Sequence, residues 1–340
     1  MDYKGINYDI GTKTLKGKIT REVFDAAMVA KEIAIIKNEL HCNAIRISGL
    51  DIERIGIASE AALKLGLTVL FSPALHYDNR ENTLQYILKG AEAAEKLRRQ
   101  YPNIIYVTGC ELTMFTAGFV KGQTGMERIG SIFSPFSMVK NLLGIPRTYN
   151  KRLNSFLSGS VTEIRKTFKG QITYASGTWE KVDWDLFDMI GIDHYLSAFN
   201  KAIYAKEIQK YKQIGKPLLI TEFGCCAYKG AQDKGAMGWA IVDWDKNRPQ
   251  LKGDYIRDER VQANYLNDCL SIFKNEKVDG AFAFTFATYN YIQDDNPQFD
   301  IDMASYGVVK MLPEDKQPGY EGMSWARKEA FFTLGELYKK

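Results

Sequence analysis

Two glutamates stand where two strand-like apolar runs end. Glu111 follows the run Ile104–Thr108, and Glu222 follows the run Pro217–Thr221. If both runs are strands of one parallel barrel, their carboxyl ends lie at the same face, so the two side chains can face each other across a pocket. Two carboxyl groups on either side of a small gap are what cleavage of a glycosidic bond requires. This pair is the main functional prediction from the sequence.

Other polar residues lie at the ends of further predicted strands: Arg46 on the second, His76 after the third, and Asp193, His194 and Tyr195 at the sixth. Arg46 and Tyr195 can donate hydrogen bonds to a carboxylate and would keep Glu222 ionised. Arg46 could equally be a structural ion-pair partner, and the two roles are compatible. For the two histidines and Asp193, a satisfied interior side chain is the alternative to ligand contact.

Four short motifs resemble those of clan A glycoside hydrolases, the superfamily that includes families 5 and 113. Asn43–Arg46 is similar to the clan's Asn-x-x-Arg, and Ile192–Tyr195 to its sixth-strand segment. Glu111 matches the acid/base position, and Ile220–Gly224 matches the nucleophile motif. The resemblance implies a (β/α)8 barrel, a carbohydrate substrate and a retaining two-glutamate mechanism on a β-linked glycoside, with neither cofactor nor metal.

The sequence departs from the clan pattern at two places. Cys110 stands directly before Glu111, where the clan usually has an Asn that binds the sugar 2-hydroxyl. On the eighth strand, Phe284 and Phe286 stand where the clan has a Trp platform. Both phenylalanines remain candidates for contact with substrate, and the sugar itself cannot be identified.

Two tryptophans are candidate platforms for the apolar face of a sugar. Trp179 follows the fifth predicted strand, and Trp239 lies in the connection after the seventh. Aromatic rings cover such faces well, but packing within a loop is the alternative for each of them.

The elements that must position these residues alternate along the chain. Most of the strand-like runs are apolar throughout, as expected when both faces of a parallel sheet are covered. The eight predicted strands are Lys4–Asp9, Ala44–Ser48, Thr68–Ser72, Ile104–Thr108, Gln171–Ala175, Met189–Asp193, Pro217–Thr221 and Gly280–Thr285. The predicted helices are Arg21–Leu40, Ile52–Leu65, Thr83–Gln100, Thr162–Phe168, Ala202–Ile214, Arg257–Phe273 and Trp325–Tyr338. This order predicts an α/β fold, the (β/α)8 TIM barrel.

Three connections after strands are long: residues 112–147 after the fourth, 224–256 after the seventh and 286–323 after the eighth. Long connections in a compact domain are usually functional. No linker or low-complexity segment interrupts the pattern, so the sequence predicts a single catalytic domain over residues 1–340.

Charge and hydropathy exclude several classes of partner. The 45 basic and 41 acidic residues leave a net charge of only +4 and form no dense basic block, which argues against nucleic-acid binding. No run approaches the roughly 20 apolar residues of a membrane span. The start of the chain has no signal-peptide core, and the five cysteines have no zinc-type spacing, which together predict a cytoplasmic protein. The sequence does not indicate an oligomeric state.

Two alternatives stay open at this stage. His76, Glu111, His194 and Glu222 all end strands and could surround one divalent ion, as in a metal-dependent isomerase or hydrolase. The other is a non-catalytic barrel that kept the fold and serves in sugar binding or phage defence, which the Cys110 departure favours.

Overall fold

Eight parallel strands form a closed barrel, as the sequence predicts. The computed structural model describes residues 1–14, 16–135, 147–314 and 319–340. The barrel strands are β1 (Tyr3–Asp9), β2 (Ala44–Gly49), β3 (Thr68–Pro73), β4 (Ile104–Cys110), β5 (Gln171–Gly177), β6 (Ile190–Asp193), β7 (Leu218–Phe223) and β8 (Gly280–Ala283). Their order around the barrel is β1-β8-β7-β6-β5-β4-β3-β2. The prediction of a (β/α)8 fold is therefore confirmed.

Helices occupy most of the connections between these strands. They are α1 (Ala26–Asn38), α2 (Ile52–Lys64), α3 (Arg80–Arg98), α4 (Leu112–Phe115), α5 (Gly125–Ile132), α6 (Thr148–Thr167), α7 (Tyr204–Lys212), α8 (Glu259–Asn275) and α9 (Glu329–Lys339). The connection from β5 to β6 is the exception. Its residues 178–189, all within the described part of the chain, contain a single 3-10 turn at Trp184–Leu186 and no α-helix.

Three helix predictions were wrong in their extent. The predicted Arg21–Leu40 begins only at Ala26, where the side chain of Asp25 accepts from the amide of Ala27 at 2.8 Å.

The predicted Thr162–Phe168 is the end of α6, which begins at Thr148. Residues 148–161 are mostly polar and include a glycine, so their helix propensity is weak. Leu153, Leu157 and Ile164 are nevertheless buried, so packing outweighs propensity. The predicted Trp325–Tyr338 begins instead as a strand, Trp325–Arg327, which pairs antiparallel with Val309–Met311.

The three long connections follow β4, β7 and β8, as predicted, and contain structure of their own. The first contains α4 and α5, and its residues 136–146 lie outside the described part of the chain. The second contains the 3-10 helix Gly235–Ile241 and a two-stranded pairing of Val242–Asp243 with Gln250–Leu251. The third contains the 3-10 turn Ile301–Ala304 and the strand Val309–Met311, which pairs with Trp325–Arg327 just after the connection. Its residues 315–318 also lie outside the described part of the chain.

The chain divides into two compact units. The first comprises Met1–Asp9, Ala30–Arg46 and His194–Lys340, and the second comprises Ile10–Val29 and Ile47–Asp193. The single domain over residues 1–340 stays a prediction. Among the described helices, none has the length and apolar character needed to span a bilayer.

Each unit has its own buried core. In the first unit, the fully buried Trp325 packs edge-on against Phe286, with ring centroids 5.3 Å apart. In the second, the ring centroid of Tyr106 lies 6.2 Å from that of Phe71 and 5.5 Å from that of Phe168. The hydroxyl of Tyr106 donates to the carbonyl of Ile87. A buried tyrosine normally needs such a partner for its hydroxyl, so this bond fixes the ring.

Candidate active site

Glu222 is the penultimate residue of β7, and two donors hold its carboxylate. Arg46 Nη1 donates to Oε1 at 3.0 Å, and the hydroxyl of Tyr195 donates to Oε2 at 2.9 Å. The side chain of Glu222 is 15% exposed, whereas that of Arg46 is only 2% exposed. Charge-assisted bonds of this kind fix the orientation of the carboxylate. An ionised and oriented carboxylate has the properties of a nucleophile.

Buried contacts hold the strand end as well as the side chain. The carbonyl of Thr221 accepts from Arg46 Nη1 at 3.3 Å and from Asn7 Nδ2 at 2.9 Å. Asn7 also donates to the carbonyl of Phe282 on β8, at 3.2 Å. Two donors, Asn7 of β1 and Arg46 of β2, therefore fix the backbone next to Glu222.

Tyr195 lies just after β6, on a loop with its own supports. Asn200 Nδ2 donates to the carbonyl of Tyr195 at 3.0 Å. The ring of Tyr195 packs edge-on against Tyr306 at 5.8 Å, and the hydroxyl of Tyr306 in turn donates to the carbonyl of Gly235. Tyr195 is therefore positioned by loop packing as well as by its bond to Glu222.

Glu111 follows β4 directly and has an unusual backbone. Its φ of 43° and ψ of 46° are left-handed, a conformation that costs an L-residue with a side chain about 1–3 kcal/mol. Its amide donates to the carbonyl of Ala175 at 2.8 Å. Its own carbonyl accepts from the amides of Met114 and Phe115, at 2.8 and 3.0 Å. The residue thus ends the strand and begins the short helix α4 in one step.

Sequence reasoning missed a buried carboxylate beside this turn. Glu180, 3% exposed, accepts from the amide and hydroxyl of Thr113 at 3.0 and 2.6 Å, from the hydroxyl of Tyr174 at 2.8 Å and from Ser176 Oγ at 3.3 Å. Burial raises the pKa of Glu180 and the four donors oppose that shift. Nothing in the local sequence marks it, because the loop position of Glu180 reads as solvent-exposed.

Cys110 and Asp193, at the ends of β4 and β6, contact each other. The thiol of Cys110 donates to Asp193 Oδ2 with Sγ and oxygen 3.4 Å apart. Asp193 is 3% exposed, whereas Cys110 is half-buried and the other four cysteines are buried. The residue at the clan's Asn position is thus bonded to a buried carboxylate.

His76 lies after β3, half-buried among residues of the second unit. Its ring stacks on Phe115, with centroids 4.2 Å apart and planes 13° apart. Its Nδ1 lies 3.2 Å from the carbonyl of Lys13. These contacts are compatible with either prediction for His76, ligand contact or an interior role.

Trp179 is fixed against the loop that follows Glu111. Its Nε1 donates to Thr113 Oγ1 at 3.0 Å, and its carbonyl accepts from the hydroxyl of Tyr149 at 3.1 Å. A Cβ at Gly177 would come within 2.4 Å of the indole ring, so the ring depends on that glycine for its place at the end of β5. Trp179 is only half-buried, and its role as a sugar platform stays a prediction.

The side chain of His194 is buried and packs against a helix. It is 1% exposed, its ring stacks on Tyr204 of α7 at 4.2 Å, and its Nε2 lies 3.5 Å from Glu207 of the same helix. Burial lowers the pKa of His194 to about 4. Its contact with ligand, like the metal-dependent alternative, stays a prediction.

The remaining aromatic candidates have different environments. Trp239 is half-exposed on the 3-10 helix after β7. Phe284 is half-buried and packs edge-on against Tyr306 at 5.9 Å. Phe286 is fully buried and packs against Trp325. Phe286 is therefore a core residue, and the sequence did not show this because apolar residues at a strand end look alike.

Solved structures with this fold include several glycoside hydrolases. A complex of a GH113 β-1,4-mannanase aligns over 100% of both chains with a TM-score of 0.64 and 16% identity. The GH113 β-mannanase AaManA from Alicyclobacillus acidocaldarius aligns over 99% of this chain and 97% of its own, with a TM-score of 0.60 and 12% identity. A β-glucuronidase from an uncultured Clostridium sp. aligns over 100% of this chain and 50% of its own, with a TM-score of 0.57 and 13% identity.

Sequence comparison adds no relative: no protein-family model matches the chain, and no curated protein matches it. The structural likeness, at these identities, establishes that the chain shares the (β/α)8 fold of these structures.

Proposed function

We propose that the chain is a retaining glycoside hydrolase that acts on β-linked oligosaccharides or small β-glycosides, with Glu222 as nucleophile and Glu111 as acid/base. The observation that carries the proposal is the carboxylate of Glu222 at the end of β7, held by Arg46 at 3.0 Å and Tyr195 at 2.9 Å. The fold shared with glycoside hydrolases supports it, because active sites of this fold lie at the carboxyl ends of the strands.

In the first step of the proposed mechanism, Glu222 attacks the anomeric carbon while Glu111 gives its proton to the leaving oxygen. The glycosidic bond breaks, and the sugar is left on Glu222 as an ester. Direct attack requires the two carboxyl groups to be about 5–5.5 Å apart, the separation typical of retaining enzymes. Arg46 and Tyr195 keep the attacking carboxylate ionised and aligned.

In the second step, Glu111 works as a base. It takes a proton from a water that attacks the anomeric carbon, and the bond to Glu222 breaks, which returns the free sugar with its original configuration. The same residue therefore donates and accepts the proton in turn, and it must hold one position in both steps.

The comparisons suggest which substrates to test first. Structures that share the fold include β-1,4-mannanases and β-glucuronidases, so we propose β-manno-oligosaccharides and β-glucuronides as the first candidates. The thiol of Cys110 is a weaker hydrogen-bond partner than an amide for the sugar 2-hydroxyl. We propose that the buried carboxylate of Asp193 beside it supplies the polar contact to the sugar at this place.

The proposal is tested by turnover and covalent trapping together. Purified protein is screened against aryl β-glycosides and short β-oligosaccharides, then treated with activated 2-deoxy-2-fluoro-β-glycosides, which slow breakdown of the ester. Peptide mapping should find the sugar on Glu222. The matched control is Glu207→Gln, which removes a half-exposed carboxyl of the same unit near His194 and should be labelled like wild type.

Other outcomes decide against the proposal in distinct ways. Turnover that disappears with a chelator would favour the metal-dependent barrel. Glycan binding without turnover, and without label on Glu222, would favour the non-catalytic barrel.

A further inference from the structure

The left-handed turn at Glu111 is held by hydrogen bonds that three consecutive backbone amides donate. The amide of Glu111 donates to the carbonyl of Ala175 at 2.8 Å, that of Leu112 to the hydroxyl of Tyr174 at 2.8 Å, and that of Thr113 to Glu180 at 3.0 Å. We call these three acceptors, which lie on β5 or just after it, the amide clamp. A backbone conformation that residues with side chains rarely adopt persists only where its surroundings hold it.

Glu180 joins the members of the clamp to one another. Its Oε1 accepts from both the amide and the hydroxyl of Thr113, and its Oε2 accepts from the hydroxyl of Tyr174. Because the Tyr174 hydroxyl donates to Glu180, its lone pairs are directed to the amide of Leu112. Glu180 thus controls two of the three amides, one directly and one through Tyr174.

The four donors to Glu180 are an amide and three hydroxyls, and none of them carries a charge. A carboxylate that is 3% exposed is costly to bury unless it is hydrogen-bonded. Glu180 has four such bonds, and two of them come from Thr113, two residues after Glu111, so the carboxylate acts directly on this turn.

We propose that Glu180 is a positioning residue for the acid/base Glu111. This inference rests on the proposed function: through the amide clamp, Glu180 fixes the backbone at residues 111–113 and so aims the Glu111 carboxyl at the leaving oxygen. Loss of the clamp should therefore impair proton donation more than it impairs substrate binding.

The test uses the leaving group as a reporter of proton donation. A phenyl leaving group needs a proton in the first step, whereas 2,4-dinitrophenyl needs almost none. For Glu180→Gln, we expect kcat/KM on the phenyl β-glycoside to fall about 10-fold relative to kcat/KM on the 2,4-dinitrophenyl β-glycoside, with KM changed little. An amide at this position turns one acceptor oxygen into a donor, which disturbs the clamp while keeping the shape of the side chain.

The matched control is Glu95→Gln. Glu95 is a buried carboxylate of the same unit with four donors, from Arg98, Arg99 and the amide of Lys169, and it lies on α3 away from the clamp. It should lower Tm without changing the ratio of the two kcat/KM values. Thr113→Ser should keep the wild-type ratio because it keeps the hydroxyl, and Thr113→Val should lower the ratio as Glu180→Gln does.

Amide exchange gives a second readout. Glu180→Gln should speed hydrogen exchange at Leu112 and Thr113 about 10-fold or more, and Glu95→Gln should not. Equal losses on both glycosides, or unchanged exchange at these amides, would overturn the inference while the proposed function stands. Wild-type protein that hydrolyses neither glycoside and takes no label at Glu222 would instead overturn the proposed function.

Discussion

Different contacts position the two proposed catalytic glutamates. Glu222 is held through its side chain, by a buried arginine and a tyrosine hydroxyl. The main chain at Glu111 is held by the amide clamp, whose three acceptors bind the amides of Glu111 and of the two residues that follow it. The contacts to Glu222 act on its carboxylate, whereas those at Glu111, Leu112 and Thr113 act on the backbone.

This difference matches the chemistry that each residue would perform. A nucleophile must be aligned with the anomeric carbon, and a guanidinium that is 2% exposed holds the Glu222 carboxylate at 3.0 Å. An acid/base must take up and release a proton in every cycle, so strong bonds from a cation to its carboxyl would oppose one of its two states. The clamp acts on the backbone at residues 111–113, so it does not itself favour either protonation state of the Glu111 carboxyl. The predictions below test this contrast.

The largest effect is expected for Glu222→Ala. Loss of the nucleophile should lower turnover by a factor on the order of 10⁴ or more. Azide should restore part of the activity on a substrate with a good leaving group, because a small anion fits where the carboxylate was, and the glycosyl azide should have inverted configuration. Product analysis by NMR gives the answer. A retained product would contradict the assignment of Glu222.

Glu111→Ala should behave differently. Proton donation contributes roughly 10²–10⁴-fold, so glycosides with poor leaving groups should lose about that much. Substrates with good leaving groups should still form the ester, and azide should then give a product with retained configuration. Rates measured over a series of aryl leaving groups check this prediction. The contrast between the residues fails if both variants give the same azide product.

Arg46→Met should affect kcat more than KM. Removing one preorganised donor from a reacting group costs about 10²–10³-fold in rate, and the loss here should be about 10²-fold in kcat. Tyr195→Phe removes an uncharged donor from the same carboxylate and should cost about 10-fold. Steady-state kinetics with Tm as a folding check separates the effects. A variant with raised KM and unchanged kcat would assign Arg46 to binding alone.

The smallest effect is on stability and concerns Glu95 and Glu180, two buried carboxyls of one unit. The hydrogen bond from Arg98 lowers the pKa of Glu95 to about 2, so its stabilisation is present above pH 4.5 and is lost as pH falls toward 2. Burial raises the pKa of Glu180, so its folded form binds a proton more tightly than the unfolded chain, and stability from this group falls as pH rises above 4.5.

Urea unfolding of the wild type, Glu95→Gln and Glu180→Gln between pH 2.5 and 7 measures both trends. Relative to wild type, Glu95→Gln should become more destabilising as pH rises, and Glu180→Gln should become less so. Parallel pH profiles for the two variants would show that charged and uncharged donors act alike at these sites.

The sequence by itself determined the barrel and the candidate residues at its strand ends. Apolar runs alternating with helical patterns are a local property, and the strands they predict differ from β1–β8 by at most two residues at each end. One example is β7, which begins at Leu218 because Pro217 has no amide to donate to the sheet. The short motifs also predicted that Arg46 and Tyr195 contact Glu222. They could do so because the carboxyl ends of the strands meet at one face of this fold.

Tertiary structure alone decided which of the candidates have side chains buried in the core. His194 and Phe286 follow strands just as Tyr195 and Phe284 do, yet their side chains pack against Tyr204 and Trp325. The clamp is also a tertiary feature, because Glu180 lies 67 positions from Thr113 along the chain. A hydrogen bond between distant residues leaves no periodic trace in a sequence, whereas the alternation of strands and helices does.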